Sequence, residues 1–174
     1  VYPDGSVTRL DSLTEVVVKV GRAGGAQQVS LQQSAGLTWN LVQRLVGRSS
    51  CDVTGPNNAN ASVRGTRFGY YVEHDPAGVP VIWIDTYEGV VSIASKVGPP
   101  VTAVANQRVT VRADAAPTAP VPIPVTDLQL SFTVFNQTIE SVTGVPAAVR
   151  AGDRSTGRPA GAAEGAAGGR DARA

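Results

Sequence analysis

Short β-branched runs recur along this chain about every ten residues, each broken by Gly, Asn, Asp or Pro, and this cadence limits the fold more than any other feature. β-Branched side chains fit a pleated surface, and the breakers supply the turn dihedrals that strand ends need. Residues 7–10 follow an Asp4-Gly5 turn, and residues 15–20 form a run ended by Gly21. Residues 28–32 alternate, with Val29 and Leu31 on one face. Over 37–45, Leu37, Trp39, Leu41 and Gln43 fall on one side of a strand and Val42 on the other. Leu41, Val42, Leu45 and Val46 also suit a helical turn; the strand is favoured because its neighbours are strands. Runs at 51–54, 60–64 and 66–73 follow. Residues 79–87 and 90–94 read as an antiparallel pair around Glu88-Gly89, and 101–105 and 107–112 close the series around Asn106. The pattern predicts an all-β fold, about ten short strands in a sandwich or a rolled, β-helix-like sheet. No segment carries both the start and the stop signal of a helix.

Residues 1–113 read as this β domain. Residues 114–126 hold Pro117, Pro120, Pro122 and Pro124 and read as a semi-rigid linker, since proline removes backbone donors and favours extended chain. In 127–150, Leu128, Leu130, Phe132 and Val134 alternate with mostly polar residues, so 128–139 reads as an extra edge strand or the first strand of a truncated domain. Residues 151–174 have no large apolar side chain and cannot offset the entropy of ordering; this tail reads as disordered.

Composition then removes several function classes. The 174 residues suit one domain, and a net charge of +1 argues against a broad nucleic-acid footprint. One cysteine excludes an intrachain disulfide framework, and one histidine excludes a multi-histidine metal site. Aromatic residues are 5% of the chain, too few for a stacking platform unless they cluster. No apolar stretch approaches the ~20 residues of a membrane span. Residues 1–5 read as a turn rather than a signal peptide. The absence of methionine leads us to expect a processed product, an excised domain or a fragment.

The segment Ser62-Val63-Arg64-Gly65-Thr66-Arg67-Phe68 resembles the core motif of the FecR-type domain, the family named after the regulator of ferric-citrate uptake. Four other segments are similar to family elements in the same order. These are 2–10, with Asp4-Gly5 before a strand and Leu10; 29–39, with Gly36 before Trp39; 82–93, centred on Glu88-Gly89; and 105–111. The resemblance covers about residues 2–112. It departs at Thr54-Gly55-Pro56, where Thr-Pro is usual, and at Asn106, where glycine is usual; asparagine tolerates the left-handed dihedrals of such a turn. Family domains often begin a strand or two earlier, so the N-terminus looks clipped. The resemblance implies an extracytoplasmic bacterial module. In the regulators, a cytoplasmic part binds a sigma factor and a single span leads to an outer, signal-receiving part. Other members attach the domain to secreted or envelope modules.

Read physically, Gly65 within Val63–Phe68 suggests a bulge or a close backbone approach that puts Val63 and Phe68 on one face. On that reading Arg64 bonds loop carbonyls; the functional alternative has Arg64 and Arg67 presenting a partner-binding edge. His74-Asp75 precedes Pro76 and reads as a turn, with no serine nucleophile motif to make it catalytic. Asp85 and Glu88 lie too close along one strand end to face each other across a sugar. Cys51 reads as a buried small hydrophobe. Val79, Val81 and Trp83 on one face, with Ile82 and Ile84 on the other, suggest a central strand buried on both sides; the alternative is a ligand groove containing Trp83. Asn60 and Asn136 head chance glycosylation triplets. The expectation is a non-enzymatic extracytoplasmic domain that binds a protein or envelope ligand in signal reception, without metal or cofactor. A structural spacer or adhesion module is the alternative, and a hydrolase using His74, Asp85 and Glu88 the third.

Overall fold

The computed structural model describes residues 1–45, 47, 49–124 and 130–143; Val46, residues 127–129 of the expected extra strand and the expected tail 151–174 lie outside them. The strands are β1 (Val7–Leu10), β2 (Glu15–Ala23), β3 (Ala26–Leu41), β4 (Ser50–Thr54), β5 (Asn60–Val63), β6 (Arg67–His74), β7 (Pro80–Glu88), β8 (Val90–Ala94), β9 (Val101–Val104), β10 (Gln107–Arg112) and β11 (Val121–Pro122). Among the described residues there is one α-helix, α1 (Leu130–Thr143), and a short 3-10 turn at Pro56–Asn58. The strands form one curled half-barrel sheet in the order β11-β10-β7-β6-β3-β4-β5-β8-β9, with β1 and β2 also paired to β3. The fold is mostly β, as the cadence of runs and breakers requires.

Strand β3 is the seam. The runs at 28–32 and 37–45 are one strand of 16 residues that ends at Leu41, not at residue 45. Its first half pairs with β2 and, in parallel, with β4; its second half pairs with β1 and β6. Gly36 sits at the change of partner with φ 81°, and a Cβ there would stand 2.5 Å from the Thr14 Cα. Only glycine allows both the dihedral and the approach.

The chain leaves one half of the sheet for the other at two further breaks. Residues 64–66 separate β5 from β6, and Gly89, at φ 79°, separates β7 from β8. The expected hairpin of 79–87 with 90–94 does not form: β7 pairs with β6 and β10, and β8 with β5 and β9. A glycine turn is a local signal, whereas the partner on each side is set by which core the apolar face must join. That core joins the two halves face to face. Val29, Leu31, Val53, Ala61 and Ile93 pack with Phe68, Tyr70, Ile82, Ile84 and Val109, all 3% exposed or less.

The proline-rich segment is not a free linker as far as residue 124. Thr118 N donates to Thr110 O at 3.0 Å, Ile123 N donates to Asn106 O at 3.1 Å, and β11 pairs with Gln107 and Arg108. Prolines suit this sheet-edge position because their missing donors would otherwise point at solvent. The expected strand over 128–139 is corrected to α1 from Leu130 on. Phe132, Asn136 and Glu140 recur at i, i+4 and i+8 and form its inward face, so tertiary contacts overrule the alternating apolar pattern. Among the described residues, no helix is long and apolar enough to cross a membrane.

Candidate functional site

Strand alternation gives the β1-β3-β6-β7-β10 half a second face, turned away from the core. Register places Arg9 opposite Trp39, Trp39 opposite Gly69, Tyr71 opposite Trp83, and Asp85 opposite Arg108. Four of the few aromatic residues therefore share one face. The Trp39 and Tyr87 rings stack with centroids 4.6 Å apart. Gly69 leaves the space they need: a Cβ there would lie 2.2 Å from the Tyr71 hydroxyl and 2.5 Å from its ring carbon Cζ.

Polar groups are threaded through these rings. Arg108 donates through Nε to Asp85 Oδ1 at 2.6 Å and through Nη2 to Oδ2 at 2.7 Å, a bidentate pair with both residues buried. The Arg108 guanidinium also lies 5.6 Å from the Trp83 ring centroid. The Tyr87 hydroxyl is 2.9 Å from the Tyr71 hydroxyl, 3.0 Å from Thr133 Oγ1 on α1 and 3.4 Å from Asp85 Oδ2. Burial, and then the Asp85 charge, push the Tyr87 phenol up to about 12; burial holds Tyr71 well above its usual range. Both phenols stay protonated near neutral pH and serve as hydrogen-bonding groups.

Helix α1 lies over this face and is joined to it mainly through polar atoms. Glu140 Oε1 accepts from Trp39 Nε1 at 2.7 Å and from Arg9 Nη1 at 3.0 Å. Its other oxygen pairs with Arg67 Nε at 2.9 Å. Arg67 also lies 3.5 Å from Glu88. Asn136 is fully buried, donating to Phe132 O at 2.7 Å and lying 3.5 Å from Arg9. Chemically, two guanidinium groups and an indole N–H converge on one carboxylate. No single stretch of sequence reveals this site, because its parts come from β1, β3, β6 and α1. The nearest signal is on β7, where Trp83, Asp85 and Tyr87 alternate on one face.

The residues singled out from the sequence divide between this face and the turns. Gly65, at φ 115°, packs against the Arg44 backbone, where a Cβ would stand 2.9 Å from Cα. A Cβ on Gly89 would meet Gly65 O and Thr66 Cγ2, both at 2.8 Å. Two sequence motifs far apart in the chain thus form one corner. Val63 and Phe68 both face the core, Thr66 is buried and exchanges backbone bonds with Val42, and Arg64 is exposed. The two arginines do not form a common edge: Arg67 points into the α1 contact. Asp4 accepts from Ser6 N and Oγ at 3.0 and 2.8 Å beside Gly5, and Asn106 turns at φ 65°. His74 is exposed at the end of β6, and Asp75 Oδ1 accepts from Ala77 N and Val79 N at 2.9 Å, which makes this pair a tight turn. Cys51 is buried, its thiol pushed up to about 12 by burial. Asn60 accepts from Ser62 Oγ at 3.1 Å. Among the described residues, no group of three or more His, Cys, Asp or Glu could hold a metal ion.

No protein-family model matches the chain, and comparison with curated proteins finds no relative. Its fold is similar to two crystal structures, at 1.65 and 2.50 Å resolution, of a candidate anti-sigma factor from Parabacteroides distasonis. In each, the TM-score is 0.56 at 16% identity over 76% of this chain. The chain spans 57% of the length of those structures. At this identity the likeness is one of fold.

Proposed function

We propose that this chain is the FecR-type, extracytoplasmic receiver part of a bacterial regulator, which binds a protein and makes or breaks no covalent bond. The observation that carries this reading is the shared fold with candidate anti-sigma factors. The resemblance over residues 2–112, with its core motif at the Gly65–Gly89 corner, supports it from the sequence side. The chemistry of the aromatic face agrees: its ionisable groups are engaged with one another, as Asp85 is with Arg108, and its phenols stay neutral. His74 is exposed at a strand end while Asp85 is buried in the Arg108 pair, so these two do not form a hydrolytic constellation. The segment 117–124 is hydrogen-bonded along β10, which supports the binding reading over that of a spacer.

Deleting residues 2–112 in frame from the native gene, with a reporter driven by the cognate sigma factor, tests the reading. The expected result is loss of the response to the inducing signal. A reporter that responds as in the undeleted strain would overturn it. An alkaline phosphatase fusion behind the domain, in its native gene, should be active; an inactive but intact fusion would place the domain in the cytoplasm.

A further inference from the structure

We propose that the outer face around Arg9, Trp39 and Arg67 is a receptor for a carboxylate carried on a protein helix, filled here by the chain's own Glu140, and that a partner helix bearing an acidic residue exchanges with α1. This deepens the protein-binding reading above and rests on it.

Three observations lead there. First, the receptor residues stand on strands of the sheet rather than on α1. Arg9, Trp39 and Arg67 come from β1, β3 and β6, and Trp39 is fixed by its stack on Tyr87. Second, two donors meet on Glu140 Oε1, at 2.7 and 3.0 Å, and the Arg67 charge lies 2.9 Å from Oε2 as an ion pair without a hydrogen bond. Such convergence selects a carboxylate over a neutral amide, which would leave Arg9 without its ion pair and Arg67 facing only the half-exposed Glu88. Without Glu140 the face carries two guanidinium groups against the half-exposed Glu88, and it attracts an anion.

Third, α1 is attached by its polar side. Thr133, Asn136 and Glu140 are buried against the sheet, while Val134, Phe135 and Val142 are 50%, 58% and 79% exposed. Of its described large apolar side chains only Phe132 is buried. A helix held by its apolar stripe resists removal through the area it would expose. Beside Phe132, this one is held by ion pairs and hydrogen bonds that another helix of the same chemistry can replace one for one. The partner helix therefore carries a glutamate with an amide residue four positions before it and a hydroxyl residue seven before it, as α1 does with Asn136 and Thr133.

The test uses the full chain carrying Glu140→Ala and a labelled synthetic peptide of residues 130–143, which stands in for the partner helix. The peptide should bind this variant at least about tenfold more tightly than the unsubstituted chain, whose own α1 competes. The same peptide with Gln at position 140 should bind neither, and Arg67→Ala added to the variant should remove binding. Equal binding to both chains, equal binding by the Gln peptide, or retained binding after Arg67→Ala would overturn the proposal. A second measurement needs no variant: excess peptide should speed hydrogen exchange in the α1 amides of the unsubstituted chain, and unchanged exchange at saturating peptide counts against exchange of helices. The reporter experiment above is independent, so the carboxylate receptor and the regulator reading fail separately.

Discussion

Gly65 holds a φ of 115° with the Arg44 backbone where its side chain would be. Gly65→Ala therefore combines a strained dihedral with a backbone clash and should cost about 2 kcal/mol or more, read as a lower denaturant midpoint at unchanged slope. Gly69 has no strained dihedral but faces the buried Tyr71 ring, so Gly69→Ala should cost about 1–3 kcal/mol and disturb the Tyr71–Tyr87 contact, visible in the near-ultraviolet circular dichroism. Cys51 supplies a pH prediction. Burial raises its folded-state value from 9.0 to about 12, so the folded state favours the protonated thiol. Its contribution is complete below the unfolded value and is lost as pH rises through the folded one. Melting temperatures should fall from about pH 9 to 12, with Tyr87 adding to the slope above its ordinary 10.0. Cys51→Ala should fall less steeply across the same window. At this scale the sequence says much: a glycine inside a strand motif and a cysteine at the start of a strand each announce their surroundings. The identity of the neighbour, Arg44 for Gly65, lies beyond local reading.

Between elements, the Asp85–Arg108 pair joins β7 to β10 on a buried face. Asp85→Ala removes the bidentate carboxylate partner of buried Arg108 and should destabilise by about 3–5 kcal/mol. Replacing both, as Asp85→Leu with Arg108→Met, should cost much less, because the desolvated charge is gone; a double-mutant cycle in urea measures the difference. Element boundaries were largely visible as runs and breakers. Element partners were not. Glu88-Gly89 has the local signature of a hairpin, yet β7 and β8 join opposite halves of the curled sheet. The residues of α1 carry an alternating apolar pattern, and the helix exists because Asn136 and Glu140 find Arg9, Arg67 and Trp39 on the sheet. Such partners lie more than seventy positions away in the chain, outside any window of periodicity.

Across the whole molecule, the sheet runs from β11 to β9 with β3 as its seam. Hydrogen exchange should therefore be slowest in β6, β7 and the second half of β3, which are paired on both sides and buried on both faces, and fastest in β11 and the free edge of β2. Uniform protection across these strands would contradict the layered core. Sequence alone determined that this is a sheet protein: β-branched runs and turn residues act within a few positions of themselves, and their preference survives whatever they later pack against. Only the tertiary structure decided how the sheet curls, where the proline-rich segment lies, that 130–143 is helical, and that an indole and two arginines meet around one carboxylate. Those outcomes depend on which distant surfaces exclude water from one another, and no short stretch of sequence contains that information.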